Sequence, residues 1–372
     1  MREVTSVENL EALVGTRPQM VLMKAIDALD DGCRVVLANA PIAGFGYRAA
    51  EGTPRSTVVG GAPGFTRVES PTRVSFDMSV NEPSPMTGSG VSLIFLLPGI
   101  GETLRLTGSI VDRSNTCVVI DLDEAFTHCA KCILRSRLWD DVGLDSEAPS
   151  IEPPTRDDDA RGPLADAAIV SFLASSSFAF ISSWDASGSS DTSPKGDRPG
   201  FIEVLDACTL AMPDRKGNRR TDTFHNLLSC NQVALATLVP GRDDLLHMNG
   251  TASVTDEPAL LARMTVADGE KPPKAGLVIR VNRAELRRNE AVQMSRMRDP
   301  SAHVDPAAVP DLMQLGAQHL AHNKTRGAKA SMTRALSRGF AATPKKLMRR
   351  GIDLGYRKDL ESEGYSPPDV TR

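Results

Sequence analysis

Between Ser193 and Leu228 the chain reads SPKGDRPGFIEVLDACTLAMPDRKGNRRTDTFHNLL, a stretch that concentrates the residue types that hold an anion. A lysine sits in the turn Ser193-Pro194-Lys195-Gly196-Asp197. Two short apolar strands follow, and Gly217-Asn218-Arg219-Arg220 then runs into a predicted helix. Two adjacent guanidiniums just ahead of a helix N-terminus combine planar forked donors, free backbone N–H groups and the positive end of a helix dipole. That outlines a phosphate site, although a bare pair of arginines also reads as a solvated basic turn.

The order SPKGD, PGF, TLAMPDRKGNRRTDT followed by NLL, then LVPG and NG resembles the flavin-binding split barrels related to pyridoxamine 5'-phosphate oxidase. It is closest to their FMN-dependent subgroup, over most of Pro163 to Val281. The resemblance implies FMN as cofactor, its ring along the strand that carries the SPKG turn and its phosphate gripped after the next strand. Transferred by motif, Ser193, Lys195 and Asp197 would border the ring within the turn completed by Pro194 and Gly196. Met212 and Pro213 would offer backbone groups. Asn218, Arg219 and Arg220 would hold the phosphate, with Thr223 among the cofactor contacts.

Ahead of this stretch, Pro163 to Leu173 predicts a helix and Phe178 to Trp184 a strand. In the N-terminal half, Arg17 to Leu29 has apolar residues at helical spacing and Asp30-Asp31-Gly32 as a stop. Cys33 to Ala38 predicts a strand. Further strands are expected at Thr57 to Val59, Phe65 to Val68, Arg73 to Met78, Val91 to Leu97, Thr103 to Val111 and Cys117 to Leu122. Many short strands separated by turns indicate a mainly β fold (α+β) with flanking helices, built as barrels or sandwiches. Asp145 to Gly162 is acidic and Pro-containing and reads as a linker.

The two halves read as one pattern used twice. Pro63-Gly64-Phe65 answers Pro199-Gly200-Phe201, Leu93 to Gly108 answers Leu235 to Gly250, and Val118 to Ala125 answers Leu277 to Ala284. The expected organisation is a first split barrel at 1–145 with a degenerate phosphate site and a linker at 146–162. A second split barrel with the FMN phosphate site follows at 163–300, and a basic C-terminal helical extension at 301–372. The first copy has Thr57-Val58-Val59-Gly60-Gly61 at the SPKGD position and no arginine in Val80 to Gly90. It keeps EAFTHCAKCILRSRLW, similar to the subgroup's C-terminal signature, where the second copy has AELRRNEAVQMSRM. Family barrels are homodimers with the flavin at the subunit interface. The resemblance therefore implies an intramolecular pseudo-dimer of tandem barrels with one composite site. His128, Lys131, Arg135 and Trp139 would reach across to the flavin, Trp139 covering its ring; the same four residues also read as packing of the seam.

A chain of 372 residues, 41% hydrophobic and 24% charged, has room for two domains with real cores. A net charge of −4 argues against a nucleic-acid binder using its whole surface. The absence of a signal-peptide pattern or membrane-length apolar run predicts a cytoplasmic protein. Six scattered cysteines form no secreted-type framework. Cys129-Ala-Lys-Cys132 has redox or metal spacing but no second such pair, and reads as packed or partner-facing thiols. His319 and His322, at i and i+3 on a predicted helix, lack a third ligand and read as structural, so no metal is expected. Lys324 to Lys358 is crowded with Lys and Arg. It reads either as an amphipathic arm for nucleic acid or acidic lipid, or as a helical extension packed on the body or on a sister chain.

The expected function is FMN binding and flavin-dependent oxidoreduction of a substrate that the sequence does not name, with NADH or NADPH as electron donor. The alternatives are a non-catalytic flavin- or haem-binding or sensor module, and a deazaflavin-dependent reductase. The cofactor would carry the chemistry; no residue stands out as an acid–base catalyst, His225 reads as structural, and His128 is the histidine nearest the expected interface.

Overall fold

The computed structural model describes residues 2–114, 116–140, 161–265, 271–325 and 327–365; the expected linker lies almost wholly outside them. Helices α1 (Val7–Val14), α2 (Gln19–Leu22) and α3 (Asp31–Asn39) lead into β1 (Ile42–Arg48), β2 (Pro54–Gly60), β3 (Arg67–Ser70) and β4 (Arg73–Asp77). Then come β5 (Gly90–Leu96), β6 (Thr103–Arg113), β7 (Cys117–His128) and α4 (Lys131–Ser136). The series recurs as α5 (Ala167–Ser175), β8 (Phe178–Trp184), β9 (Ser190–Gly196), β10 (Glu203–Asp206) and β11 (Thr209–Pro213). It continues through α6 (Asp222–Leu227), β12 (Gln232–Leu238), β13 (Asp244–Thr255), α7 (Pro258–Arg263), β14 (Gly276–Arg288) and α8 (Glu290–Ser295). A 3-10 turn at Pro300–Ala302 precedes α9 (Leu312–His322), α10 (Ala328–Ala341) and α11 (Lys345–Glu363).

Each series forms one seven-stranded antiparallel sheet, ordered β2-β1-β5-β6-β7-β4-β3 and β9-β8-β12-β13-β14-β11-β10. The two orders are the same once β1 is matched to β8. Asp31 and Ala167, Ile42 and Phe178, and Arg73 and Thr209 open matching elements 136 residues apart. Gly108 and Gly250 occupy matching bulges, where a Cβ would lie 2.0 and 1.9 Å from the carbonyl oxygens of Asp121 and Arg280. The mainly β fold with flanking helices is as expected, and the duplication read in the sequence is compatible with it.

Alternating strand residues supply a core to each sheet: Phe45, Phe76, Leu93 and Leu106 in the first, Ile181, Met212, Leu235 and Ile279 in the second. A third apolar cluster joins the halves. Ile42, Val58, Ile94 and Leu96 meet Phe178, Phe180, Ala236 and Leu238, with α4 and α8 adding Ile133 and Val292. The termini cross over, since Val4 pairs with Val254 and Leu10 enters the second core, while Leu312 and Leu315 of α9 enter the first.

Cys33 to Ala38, expected as a strand, is helical. The Asp30 side chain accepts the Cys33 N–H at 2.8 Å as an N-cap, and Cys33, Val36 and Leu37 share the buried face. A short apolar run fits either period, and here the cap decides. The helix expected over Arg17 to Leu29 shrinks to the single turn of α2, because Ile26 exchanges backbone hydrogen bonds with Ala125. Among the described residues no helix is long and apolar enough to cross a membrane.

Candidate functional site

A cleft of about 670 Å³ opens where α4 of the first half lies against β9 of the second. This approach requires a glycine: a Cβ on Gly196 would stand 2.2 Å from the carbonyl oxygen of Cys132. It brings His128, at the end of β7, and Lys131 and Arg135 of α4 around the same space as Lys195, Asp197 and Arg219. Ala12 to Gly15 form another wall, and Glu363, Lys271 and Lys274 also line the cleft.

Its buried end is an ionic network across the two sheets. Arg105 of β6 donates to Asp191 of β9, to Asp222 at 2.7 Å and to Glu124 at 3.3 Å. Burial disfavours the guanidinium charge, but the three carboxylates outweigh it and raise its pKa. Asp191 also accepts the hydroxyls of Ser193 and Thr223, both at 2.8 Å. Arg220 stacks 4.6 Å from the Phe126 ring and donates to Asp222 and, at 2.8 Å, to Glu124. Its neighbour Arg219 has a left-handed backbone (φ 60°) and an exposed side chain with no partner among the described residues.

Nearer the mouth, Lys195 donates to Asp214 at 3.1 Å. Asp197 accepts from Arg215 at 2.6 Å and from the Tyr365 hydroxyl at 2.8 Å. Helix α11 turns two carboxylates inward, Asp359 onto Lys131 at 2.5 Å and Glu363 onto Arg135 at 2.7 Å. Ten Lys or Arg residues line the cleft against four Asp or Glu, so it suits an anionic ligand. His128 is buried, and burial, Arg105, Arg220 and Lys24 together hold its pKa well below the usual value. It is therefore neutral at pH 7. Asn218 Oδ1 accepts the Arg220 N–H at 2.9 Å, which turns its amide nitrogen toward His128 Nδ1 at 3.4 Å. The imidazole proton consequently sits on Nε2, which has no partner among the described residues.

Of the residues expected from the sequence, one cleft gathers Ser193, Pro194, Lys195, Gly196, Asp197, Pro213, Asn218, Arg219, Arg220 and Thr223 with His128, Lys131 and Arg135. The Met212 side chain is buried in the second core, and its backbone lies in β11 beside Pro213, which lines the cleft. Trp139 lies at the seam outside the cleft, its indole N–H donating to the Ile100 carbonyl at 2.9 Å. Helix α6 is too short for the expected dipole contribution: it has six residues, and its N-cap, Thr221, is left-handed and makes no side-chain capping bond. Sequence reasoning missed Arg105, Asp191, Glu124, Lys271, Lys274 and the α11 carboxylates. The signal for Arg105 was a lone cation inside the apolar strand LRLTG.

Residues 165–288 match the family model for pyridoxamine 5'-phosphate oxidase. Over this segment the chain is similar to the pyridoxamine 5'-phosphate oxidase family. Among solved structures, the chain is similar to a HupZ variant from Group A Streptococcus at 18% identity, covering 33% of this chain and 98% of that one, with a TM-score of 0.28. An F420 reductase matches at 14% identity over 31% of this chain and 94% of its own, TM-score 0.25. General stress protein 26 from Bacillus anthracis matches at 13% over 32% and 95%, TM-score 0.23. A search of curated proteins finds no match.

The oxidase-like segment carries Lys195 and Arg219, and the corresponding space built around β2 is closed, with about 10 Å³ left between Arg55, Ser56, His247, Asn249, Arg283 and Glu285. Strand register matches His247 to Arg105, Arg55 to Asp191, Arg283 to Glu124 and Glu285 to Phe126. Arg287 and Glu82 pair there at 2.6 Å. Cys129 and Cys132 are free thiols lining the open cleft, and burial pushes Cys132 up to about 12. His319 bonds Asp30 at 2.9 Å, tying α9 to α3; with Cys33 the two form a group of three metal-capable side chains that the His319 and His322 spacing did not reveal.

Proposed function

We propose that this chain binds flavin mononucleotide in one composite site and acts as a flavin-dependent oxidoreductase, its two halves being tandem split barrels packed as an intramolecular pseudo-dimer. The observation that carries the reading is the large cationic cleft shared by β9 and α4, set against the closed counterpart around β2. The residues fit the group. The volume of about 670 Å³ is within the usual range for small-molecule sites. Arg219, Lys271 and Lys274 are exposed cations without partners among the described residues, suited to a phosphate. The unsatisfied His128 Nε2–H suits a polar ring edge.

When bound, the flavin supplies hydride or electron transfer. The chain's part is to bind and orient. Arg219 grips the phosphate, Lys195 holds positive charge beside the ring, the Arg105 network fixes the Ser193 and Thr223 hydroxyls, and α4 over Gly196 excludes water. His128 keeps a proton at Nε2.

The test is the absorption spectrum of the purified protein, titration with FMN, and reduction by NADH or NADPH. One FMN per chain, bleached by a nicotinamide, supports the reading. Bound FMN that neither nicotinamide reduces points to a binding module. A colourless protein that takes up a deazaflavin and not FMN overturns the cofactor assignment.

A further inference from the structure

Helix α10 presents its apolar residues the wrong way round for a helix held by a core. Its buried positions are Ala330 and Ser337, whereas Met332, Leu336 and Phe340, spaced i, i+4 and i+8, are 64%, 71% and 41% exposed. After three intervening residues, α11 begins with Lys345 and exposes Leu347 at 65%. A helix that buries small side chains and exposes large ones is docked lightly and leaves its adhesive face outward.

The charge on this segment has one sign. From Lys324 to Arg350 there are nine Lys or Arg and no Asp or Glu, in a chain whose net charge is −4. Some of these cations serve the fold: Arg334 binds the Ser331 hydroxyl at 2.8 Å, Lys345 the Pro306 carbonyl at 3.1 Å, and Arg349 binds Glu102 at 2.8 Å. Lys324, Lys329, Arg338, Lys346 and Arg350 have no partner among the described residues. Exposed bulky apolar residues interleaved with unpaired cations match both components of an anionic lipid surface, acyl chains below and phosphate headgroups above. The long Lys and Arg stems let their charges rise to headgroup level while the apolar stripe inserts. An acidic protein surface would satisfy the cations but not Met332, Leu336, Phe340 and Leu347.

We propose that α10 and the start of α11 dock this protein on membranes rich in anionic phospholipid. The inference does not depend on the flavin reading. It concerns a surface built from none of the cleft's residues.

The test is co-sedimentation of the full-length protein with vesicles of phosphatidylcholine alone, or mixed in equal parts with phosphatidylglycerol. Binding to the mixed vesicles only, weakened by salt, is expected. The double substitution Leu336→Glu with Phe340→Glu should reduce it at least about tenfold and leave thermal unfolding unchanged. Lys346→Glu with Arg350→Glu, on the second helix, should do the same and guards against a folding defect confined to α10. Failure to bind mixed vesicles, or equal binding to phosphatidylcholine, would overturn the proposal. So would a self-associated protein that Leu336→Glu with Phe340→Glu converts to monomer, because that outcome assigns the face to a second copy.

Discussion

Arg219 and Arg220 are neighbours with different tasks. Arg220 is spent on Glu124 and Asp222, whereas Arg219 is exposed and unpartnered among the described residues. Arg219→Ala should weaken FMN binding by about 1.5 to 3 kcal/mol, the range for hydrogen bonds to a charged group, with thermal stability intact. Arg220→Ala should instead lower stability by about 1 to 3 kcal/mol, since it strips donors from partly buried carboxylates. Flavin fluorescence titration and thermal unfolding separate the two, and equal FMN affinity in Arg219→Ala and wild type would remove Arg219 from the site. The basic residues at Lys195 and Arg219 were legible because they lie in a short motif. Arg105 was not, because two of its three carboxylates come from positions 86 and 117 residues away. Histidine sets the pH response. Burial lowers the pKa of both His128 and His247, so below about 6.5 the unfolded chain takes up protons that the folded chain refuses. Stability should therefore hold above neutral pH and fall as the solution is acidified from pH 7 toward 5. His247→Gln should flatten part of that slope in thermal melts, and an unchanged slope would contradict the assignment.

Elements rather than single side chains decide whether the cleft exists. The strands were readable from alternation and from turns such as Pro98-Gly99, but α3 was not, because Asp30 capping is invisible to apolar periodicity. The contact of α4 with β9 was unreadable for a similar reason: Gly196 looks like a turn glycine, and only the fold shows Cys132 above it. Gly196→Ala puts a Cβ 2.2 Å from that carbonyl, and backbone cannot yield as a flexible side chain would. The substitution should push α4 off β9, cost about 1 to 3 kcal/mol and weaken FMN binding, with the rest of the fold retained by circular dichroism. Unaltered affinity would show that α4 does not frame the site. Helix α11 acts in the opposite sense, since Glu363 already occupies Arg135. Glu363→Gln leaves Arg135 with more unsatisfied charge and should strengthen FMN binding by a few-fold. Weaker binding would make Glu363 a positioning group for Arg135 instead of a competitor for it.

On the scale of the whole molecule, two seven-stranded sheets share an apolar seam and a cross-sheet ionic network. Their differences are complementary. A Cβ on Gly44 would meet the Phe180 ring at 2.3 Å, and Gly44 and Phe180 occupy matching positions in β1 and β8. A pair of identical halves would set phenylalanine against phenylalanine here, so each half is shaped to fit the other. Separation should therefore be costly. The segment 163–300 alone would expose Phe178, Phe180, Ala236 and Leu238, lose Arg105 from Asp191 and Asp222, and lose His128, Lys131 and Arg135 from the cleft. Carboxylates left buried without their cation typically cost about 3 to 5 kcal/mol, comparable to a large share of a domain's stability. The isolated segment should aggregate or bind FMN much more weakly than the intact chain, and the intact chain should bind one FMN. Sedimentation and fluorescence titration of both proteins decide the matter: full affinity in the isolated segment, or two equivalent flavins in the intact chain, would mean that each half holds its own site.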